Sequence, residues 1–205
     1  MLALRHSFSL IGCSWVLLLS SCLVNTHKNG KSENVDVGTP FGGVHVKTDD
    51  AGTLSQTGLT PYPGAVPVKK HNDDNGSADV NVSFGSFHLG VQAAELQTSD
   101  NQDKVISFYR KDMARYGAVL LCHGSRTVGS PARTADGLTC STDQHGNDDS
   151  ETQLRAGSPL RQYIVGIHTE DHGTRIGLVA LQLPPQFKDL DKNFGKNFDK
   201  DDDRE

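Results

Sequence analysis

Between Asp100 and Tyr116 the apolar residues fall at helical spacing: Val105, Tyr109 and Met113 step by four, and Ile106 and Phe108 widen the stripe. The spacing predicts a helix. Ser99 is its candidate N-cap, with Gln102 three residues on in capping-box register. Asp100 and Asp103 suit the first turn and Arg110, Lys111 and Arg115 the last, as the helix dipole prefers. Gly117 stands where a closing residue is expected. Elsewhere the period is two. Val80, Val82 and Phe84, then Phe87, Leu89 and Val91, alternate with polar residues on either side of Gly85-Ser86, as in a hairpin or one bulged strand. A strand Ala118–Cys122 follows the helix. Leu160–Thr169 puts Tyr163, Val165 and Ile167 on one face, and Gly173–Leu183 does the same with Ile176, Leu178 and Ala180. Asp171-His172-Gly173 supplies turn chemistry between them. Shorter strands are predicted at Gly137–Ser141 and Thr152–Ala156.

Strands grouped around one helix predict an α+β fold, with one main helix packed on an antiparallel sheet of about five to six strands. The folded domain is expected over residues 58–183. It opens on Tyr62-Pro63-Gly64-Ala65, where Pro63-Gly64 suits the centre of a type II turn. Residues 22–57, rich in Gly, Asn, Thr, Ser and Asp, are expected to form a disordered N-terminal tether. Residues 71–79 read as a polar loop, and residues 184–205 as a charged, disordered tail. That tail repeats Lys192-Asn193-Phe194-Gly195 as Lys196-Asn197-Phe198-Asp199. Its Phe187, Leu190, Phe194 and Phe198 would align on a helix, so a motif that folds on a partner is the alternative.

The first residues change the picture most. Arg5 precedes an apolar run from Ser7 to Ser21, too short to span a bilayer, which needs roughly 20 apolar residues. Its flanks are those of a cleaved signal peptide, residues 1–21. Leu19-Ser20-Ser21-Cys22 reads as a bacterial lipobox, with Cys22 acylated and made the new N-terminus. Leu10-Ile11-Gly12-Cys13 matches the same pattern but leaves a shorter apolar stretch after Arg5. Several acyl chains hold a protein stably on a membrane, where one does not. Leu23 rather than Asp follows the cysteine, which by the enterobacterial sorting rule favours the outer membrane, facing the periplasm or the surface.

The chain has 20 basic and 25 acidic residues, a formal charge of −5, and loss of Arg5 with the signal makes it −6. That balance argues against nucleic acid, whose partners carry a basic face. It also argues against electrostatic attraction to anionic lipid, leaving the acyl anchor as the hold on the membrane.

The pattern Tyr62-Pro63-Gly64-Ala65, Thr98-x-Asp100, Val105-x-x-Phe108-Tyr109 with Gly117, and Gly173-Thr174-x-Ile176 resembles a loose group of uncharacterised bacterial exported proteins and lipoproteins. In that group a YPGA turn precedes a single helix of the V..FY...L...G kind on a small sheet. The resemblance covers roughly residues 58–183 and implies the fold and the envelope address. It transfers no catalytic residue. Met113 stands where the group often has Leu.

Chemistry is sparse. There is no Gly-x-Ser-x-Gly elbow, no HExxH, no P-loop and no dinucleotide fingerprint, and no cofactor is expected. Cys122 and Cys140, the cysteines left after Cys13 and Cys22, are most simply a disulfide in an oxidising compartment. With His123 and His145 they also make a possible tetrahedral zinc set. His168 and His172 flank Glu170-Asp171, either an exposed turn or an acid–base or metal cluster. Asp73-Asp74-Asn75 resembles a calcium loop but has Ala78 and Phe84 where an EF-hand needs Gly and Glu. The expectation is a non-enzymatic envelope lipoprotein that binds another envelope component through its sheet face or its tail. The alternative is a small metal-binding protein or hydrolase using the His/carboxylate or Cys/His cluster.

Overall fold

Hairpins of alternating side chains join into one antiparallel sheet, and the helices of the described residues cover one of its faces. The structure, a computed structural model, describes residues 23–29, 32–48, 50–68, 76–140 and 151–189. In chain order the elements are β1 (Leu23–Asn29), β2 (Ser32–Thr39), β3 (Gly42–Thr48), α1 (Asp50–Gln56), β4 (Val66–Pro67), β5 (Ser77–Phe84), β6 (Phe87–Thr98), α2 (Gln102–Met113), β7 (Leu120–His123), β8 (Arg126–Thr127), β9 (Thr152–Ser158), β10 (Arg161–Glu170) and β11 (Gly173–Gln182). The spatial order is β1-β2-β3-β5-β6-β11-β10-β9-β7-β8, and β4 pairs the end of β6.

The expected fold is corrected here. Among the described residues the sheet has eleven strands rather than five or six, and residues 23–48, expected within a disordered tether, supply three of them. Val35-Asp36-Val37 and Val44-His45-Val46 do alternate at period two. β2 pairs β3 and β3 pairs β5, which satisfies their backbone groups without a large core. Thr53, Thr57 and Leu59 are buried, so α1 and the turn after it pack with the sheet as well. The segment from Gly137 to Cys140 is not a strand. It closes on itself: the Leu138 N–H donates to Thr134 Oγ1 (3.0 Å) and the Thr134 N–H donates to the Leu138 carbonyl (2.9 Å). The short β8 pairs β7 instead.

Helix α2 is where the stripe predicts it, with a 3₁₀ turn at Ala114–Tyr116 before Gly117. Its N-cap is Asn101, not Ser99: the Asn101 side chain accepts from the Lys104 N–H at 3.1 Å. Val105, Tyr109 and Met113 are fully buried against Leu96 of β6, Ile176 and Leu178 of β11, Val165 and Ile167 of β10, and Leu154 of β9. Each large apolar side chain so buried is worth roughly 1.5–3 kcal/mol.

On β2, β3 and β5 the polarity of the two faces is reversed. The helix-side face carries the ion pair of Asp36 with His45 and, under α1, the buried Asp79, which accepts from Asn81 (2.7 Å) and Gln92 (3.0 Å). The valines point the other way. Cross-strand pairing aligns Val24, Val37, Val44, Val82 and Leu89 in one row and Val35, Val46, Val80, Val91 and Leu181 in a second. Apart from exposed Val24, these side chains are half-buried. Beyond β10 this opposite face is closed over. There Leu120 and Cys122 pack with Leu138 and Cys140 of the loop after β8.

Candidate functional site

The motif residues at 62, 98, 100 and 174 lie far apart in sequence and meet at one place, the N-terminal end of α2. Pro63-Gly64 forms the expected turn: the Ala65 N–H donates to the Tyr62 carbonyl at 3.0 Å, and Gly64 has φ +77°, as the third position of a type II turn requires. The turn drives the Tyr62 ring under the helix, edge-on to Phe108 with centroids 5.1 Å apart. The Tyr62 hydroxyl donates to Asp100 Oδ2 at 2.8 Å, and Lys104 Nζ donates to Asp100 Oδ1 at 2.9 Å. The Asp100 N–H donates to Thr98 Oγ1 (3.3 Å), and Thr174 Oγ1 donates to the Asp100 carbonyl (2.7 Å). Hydrogen bonds from Lys104 and then Tyr62 hold the Asp100 carboxyl pKa below its ordinary value. Burial, together with the Asp100 carboxylate, raises the Tyr62 phenol. The side chains of Tyr62, Thr98, Asp100 and Thr174 are therefore occupied in joining turn, helix and last hairpin.

A second junction secures the other end of α2. The Thr60 N–H and hydroxyl donate to Asp112 at 3.1 and 2.6 Å. Arg115 pairs with Asp112 at 2.9 Å, and both Arg115 and the Tyr116 hydroxyl donate to the Gly58 carbonyl. The Tyr116 ring stacks on Tyr163 with centroids 3.6 Å apart.

No match was found when the chain was compared with protein-family models, curated proteins and solved structures. The site must be read from its own chemistry.

Cys122 and Cys140 are joined in a disulfide, their Cα atoms 5.5 Å apart across a separation of 18 residues. Both sulfurs are thereby used. Cys140 reaches its partner from a loop rather than from a neighbouring strand. His123 stands exposed at the end of β7, with Nδ1 3.5 Å from Thr152 Oγ1. His145, the other candidate zinc ligand, lies outside the described residues, as do Cys22, the signal segment 1–21 with Cys13, the Asp73-Asp74-Asn75 loop and residues 190–205. Among the described residues no group of three or more His, Cys, Asp or Glu could hold a metal ion.

The β10–β11 tip brings Gln97, Glu170, Asp171 and His172 around a shallow, open concavity. Glu170 is already engaged, accepting from Gln97 Nε2 at 2.9 Å and ion-paired with Arg175. His168 sits opposite Arg175 in the strand register. The tip thus holds two carboxylates, of which Glu170 is engaged, and two histidines.

Arg155 is a residue that the pattern of the chain does not single out. It lies opposite Leu120 in the strand register and is only 4% exposed. Its Nε and Nη2 both donate to Gln153 Oε1 (3.1 and 2.9 Å), and Gln153 Nε2 donates on to Glu151 (2.8 Å). Burial lowers the Arg155 pKa and Glu151 partly restores it. A weak strand at Thr152–Ala156 offered no hint of which face would be closed over.

Proposed function

We propose that this chain is a bacterial envelope lipoprotein, anchored through Cys22, whose folded domain works by binding rather than by catalysis. The observation that carries the reading is Leu19-Ser20-Ser21-Cys22 at the end of a short apolar run. The Cys122–Cys140 disulfide supports it, because such bonds persist in oxidising compartments. The binding half of the proposal is supported by where the polar groups go. Tyr62, Thr98, Asp100, Thr174, Asp112 and Glu170 are held in bonds that join elements of the fold. What the domain offers outward is a broad sheet face of half-buried apolar side chains. No helix among the described residues is long and apolar enough to cross a membrane, so attachment would fall to the acyl chains.

The test is labelled-palmitate incorporation in a bacterial host, combined with crosslinking and mass spectrometry. Label in the full chain, lost with Cys22→Ser, supports the anchor. A specific crosslinked envelope component supports the binding role. One that disappears when the chain stops at Leu183 assigns the contact to residues 184–205. One that survives assigns it to the sheet. Unlabelled full-length protein defeats the anchor.

The concavity at Gln97, Glu170, Asp171 and His172 is the observation that favours the second reading, a small metal-binding protein or hydrolase. Stoichiometric metal in the purified chain, lost with His168→Ala or His172→Ala, would favour it over the first.

A further inference from the structure

We propose that the domain is seated on the lipid bilayer by one end of its sheet, the end that carries Leu23, Phe41, Phe84 and Phe187, with the apolar strand turns entering the membrane beside the acyl chains. The inference rests on reading Cys22 as the anchor and deepens it, by naming the surface that the anchored domain turns to the lipid.

The first argument is where the anchor meets the fold. Cys22 is bonded directly to Leu23, the first residue of β1, and consecutive Cα atoms are about 3.8 Å apart. No residue stands between the acylated position and the sheet. Leu23 is level in the register with Gly38 of β2, Gly43 of β3, Ser83 of β5 and His88 of β6. The chain therefore enters β1 from the end at which β2 turns into β3 and β5 turns into β6. Acyl chains buried in a bilayer hold that end at the lipid surface and leave the opposite end in water.

The second argument is what stands there. Among the described residues seven large apolar side chains are exposed, and five of them, Leu23, Val24, Phe41, Phe84 and Phe187, gather at this end. Single exposed apolar residues need no explanation, whereas a group of them marks a contact surface. Phe41, 81% exposed, is at the tip of the β2–β3 turn. The Gly85 N–H donates to the Phe41 carbonyl at 3.2 Å, which sets the β5–β6 turn beside it. Phe84 pairs with Phe87 across that turn, and the Phe87 ring lies 6.4 Å from Phe187, in the 3₁₀ turn after β11. From β1 to β11 the row spans five strand spacings, about 24 Å. Transfer of such side chains from water to lipid is favourable in proportion to the apolar area removed. It adds to the hold of the acyl chains.

The third argument is charge. The segments that form this end, residues 23–26, 37–44, 80–91 and 181–187, contain no Lys, Arg, Asp or Glu. The opposite end is the charged one. There the register places Lys28, Glu33 and Lys47, and the β10–β11 tip carries Glu170 and Asp171. The charged residues that border the apolar end are Arg161, opposite Gln182, and Lys188 and Asp189 after Phe187. A border of charge suits the polar headgroups around an inserted apolar patch. For a chain of net negative charge, the uncharged end is also the one that approaches anionic lipid without repulsion.

The test uses the full chain, exported and acylated in a bacterial host and reconstituted in phosphatidylcholine vesicles. One form carries Ser86→Cys, in the β5–β6 turn, and the control carries Asp171→Cys at the other end of the sheet. With Cys122 and Cys140 bonded, the added thiol takes an environment-sensitive fluorophore. Lipids bearing a nitroxide near the headgroup serve as the quencher. The expected result is a blue shift and strong quenching at Ser86→Cys, and neither at Asp171→Cys. Adding Phe41→Ser and Phe84→Ser should cut the Ser86→Cys quenching several-fold toward the Asp171→Cys level, with acylation unchanged. Phe41 is so exposed that its loss does not threaten the fold, and Phe41→Ser alone tests the same point should the double variant be poorly exported. An acylated chain whose Ser86→Cys label stays in water defeats the seating and leaves the anchor standing. Equal quenching at the two positions defeats it too, because no end is then preferred. A blue shift without nitroxide quenching would mean that protein covers this end, and also overturns the proposal. A full chain that carries no acyl label defeats the anchor, and this inference falls with it.

Discussion

The Tyr62 hydroxyl reaches Asp100 across 38 residues of chain, donating to its carboxylate at 2.8 Å, and Lys104 holds the other oxygen of the same carboxylate. One side chain thus ties the turn before β4 to the start of α2. Its acidity follows from those two hydrogen bonds. Because the folded state depresses the Asp100 pKa below the ordinary 3.8, the contribution to stability is present above that value. It is lost as pH falls through the folded pKa. Asp100→Asn should lower the thermal midpoint at neutral pH, and the gap to the parent chain should close as pH drops below 3.8. Melting curves between neutral pH and acid check this. A gap that is constant with pH would mean the carboxylate charge does not matter.

Gly173 begins β11 at φ +139°, and a Cβ there would lie 2.0 Å from the Thr98 carbonyl oxygen. The obstacle is backbone, so no side chain can swing away. Gly173→Ala should destabilise the domain by more than about 1 kcal/mol, since both the conformation and the contact oppose it. Urea unfolding would measure the loss. Gly64→Ala is the informative comparison, because at φ +77° its Cβ would meet nothing within 4 Å, and only the conformational cost remains.

How much of this was legible beforehand varies with how local the cause is. The stripe of Val105, Tyr109 and Met113 specified α2, because helix burial repeats within the segment itself. The cysteine pair was equally open to view, since only two remained for the domain. Ser99 looked like the cap because the true role of Asp100, accepting from Tyr62, needs a partner 38 residues away. Strands β2 and β3 were hidden by composition. Two valines around one polar residue are a short alternation within Gly, Asn and Thr, and pairing with β5 completes it. The resemblance motifs were visible as letters. Their convergence on the Asp100 backbone and carboxylate requires the fold. Arg155 could not be anticipated at all, because the loop that closes over it arrives from residues 124–140.

The disulfide should be a large single contribution. By loop-closure entropy, a bond across a separation of 18 residues stabilises the folded state by about 3 kcal/mol. Cys122→Ser with Cys140→Ser should cost roughly that amount. Reductant should lower the parent chain's midpoint to the level of the double variant and leave the variant unchanged. A parent chain indifferent to reductant would show that the bond does not form in solution. That result would reopen the thiols as ligands.

Tyr109 makes a prediction of the opposite sign. The residue is fully buried against Tyr62 and Phe108, and its hydroxyl has no hydrogen-bond partner among the described residues. Burial pushes the phenol well above its ordinary range, with the nearby Asp112 carboxylate acting in the same direction and the Tyr62 backbone acting against it. Leaving such a group unpaired costs about 1–3 kcal/mol, whereas the ring alone belongs in this core. Tyr109→Phe keeps the ring and removes the oxygen. It should be neutral or raise stability by up to about 1 kcal/mol, while Tyr109→Ala should lose roughly 3–5 kcal/mol with the ring. Denaturant midpoints of the two variants separate the contributions. A Phe variant clearly weaker than the parent would mean the hydroxyl finds a partner in solution, with a buried water the natural choice.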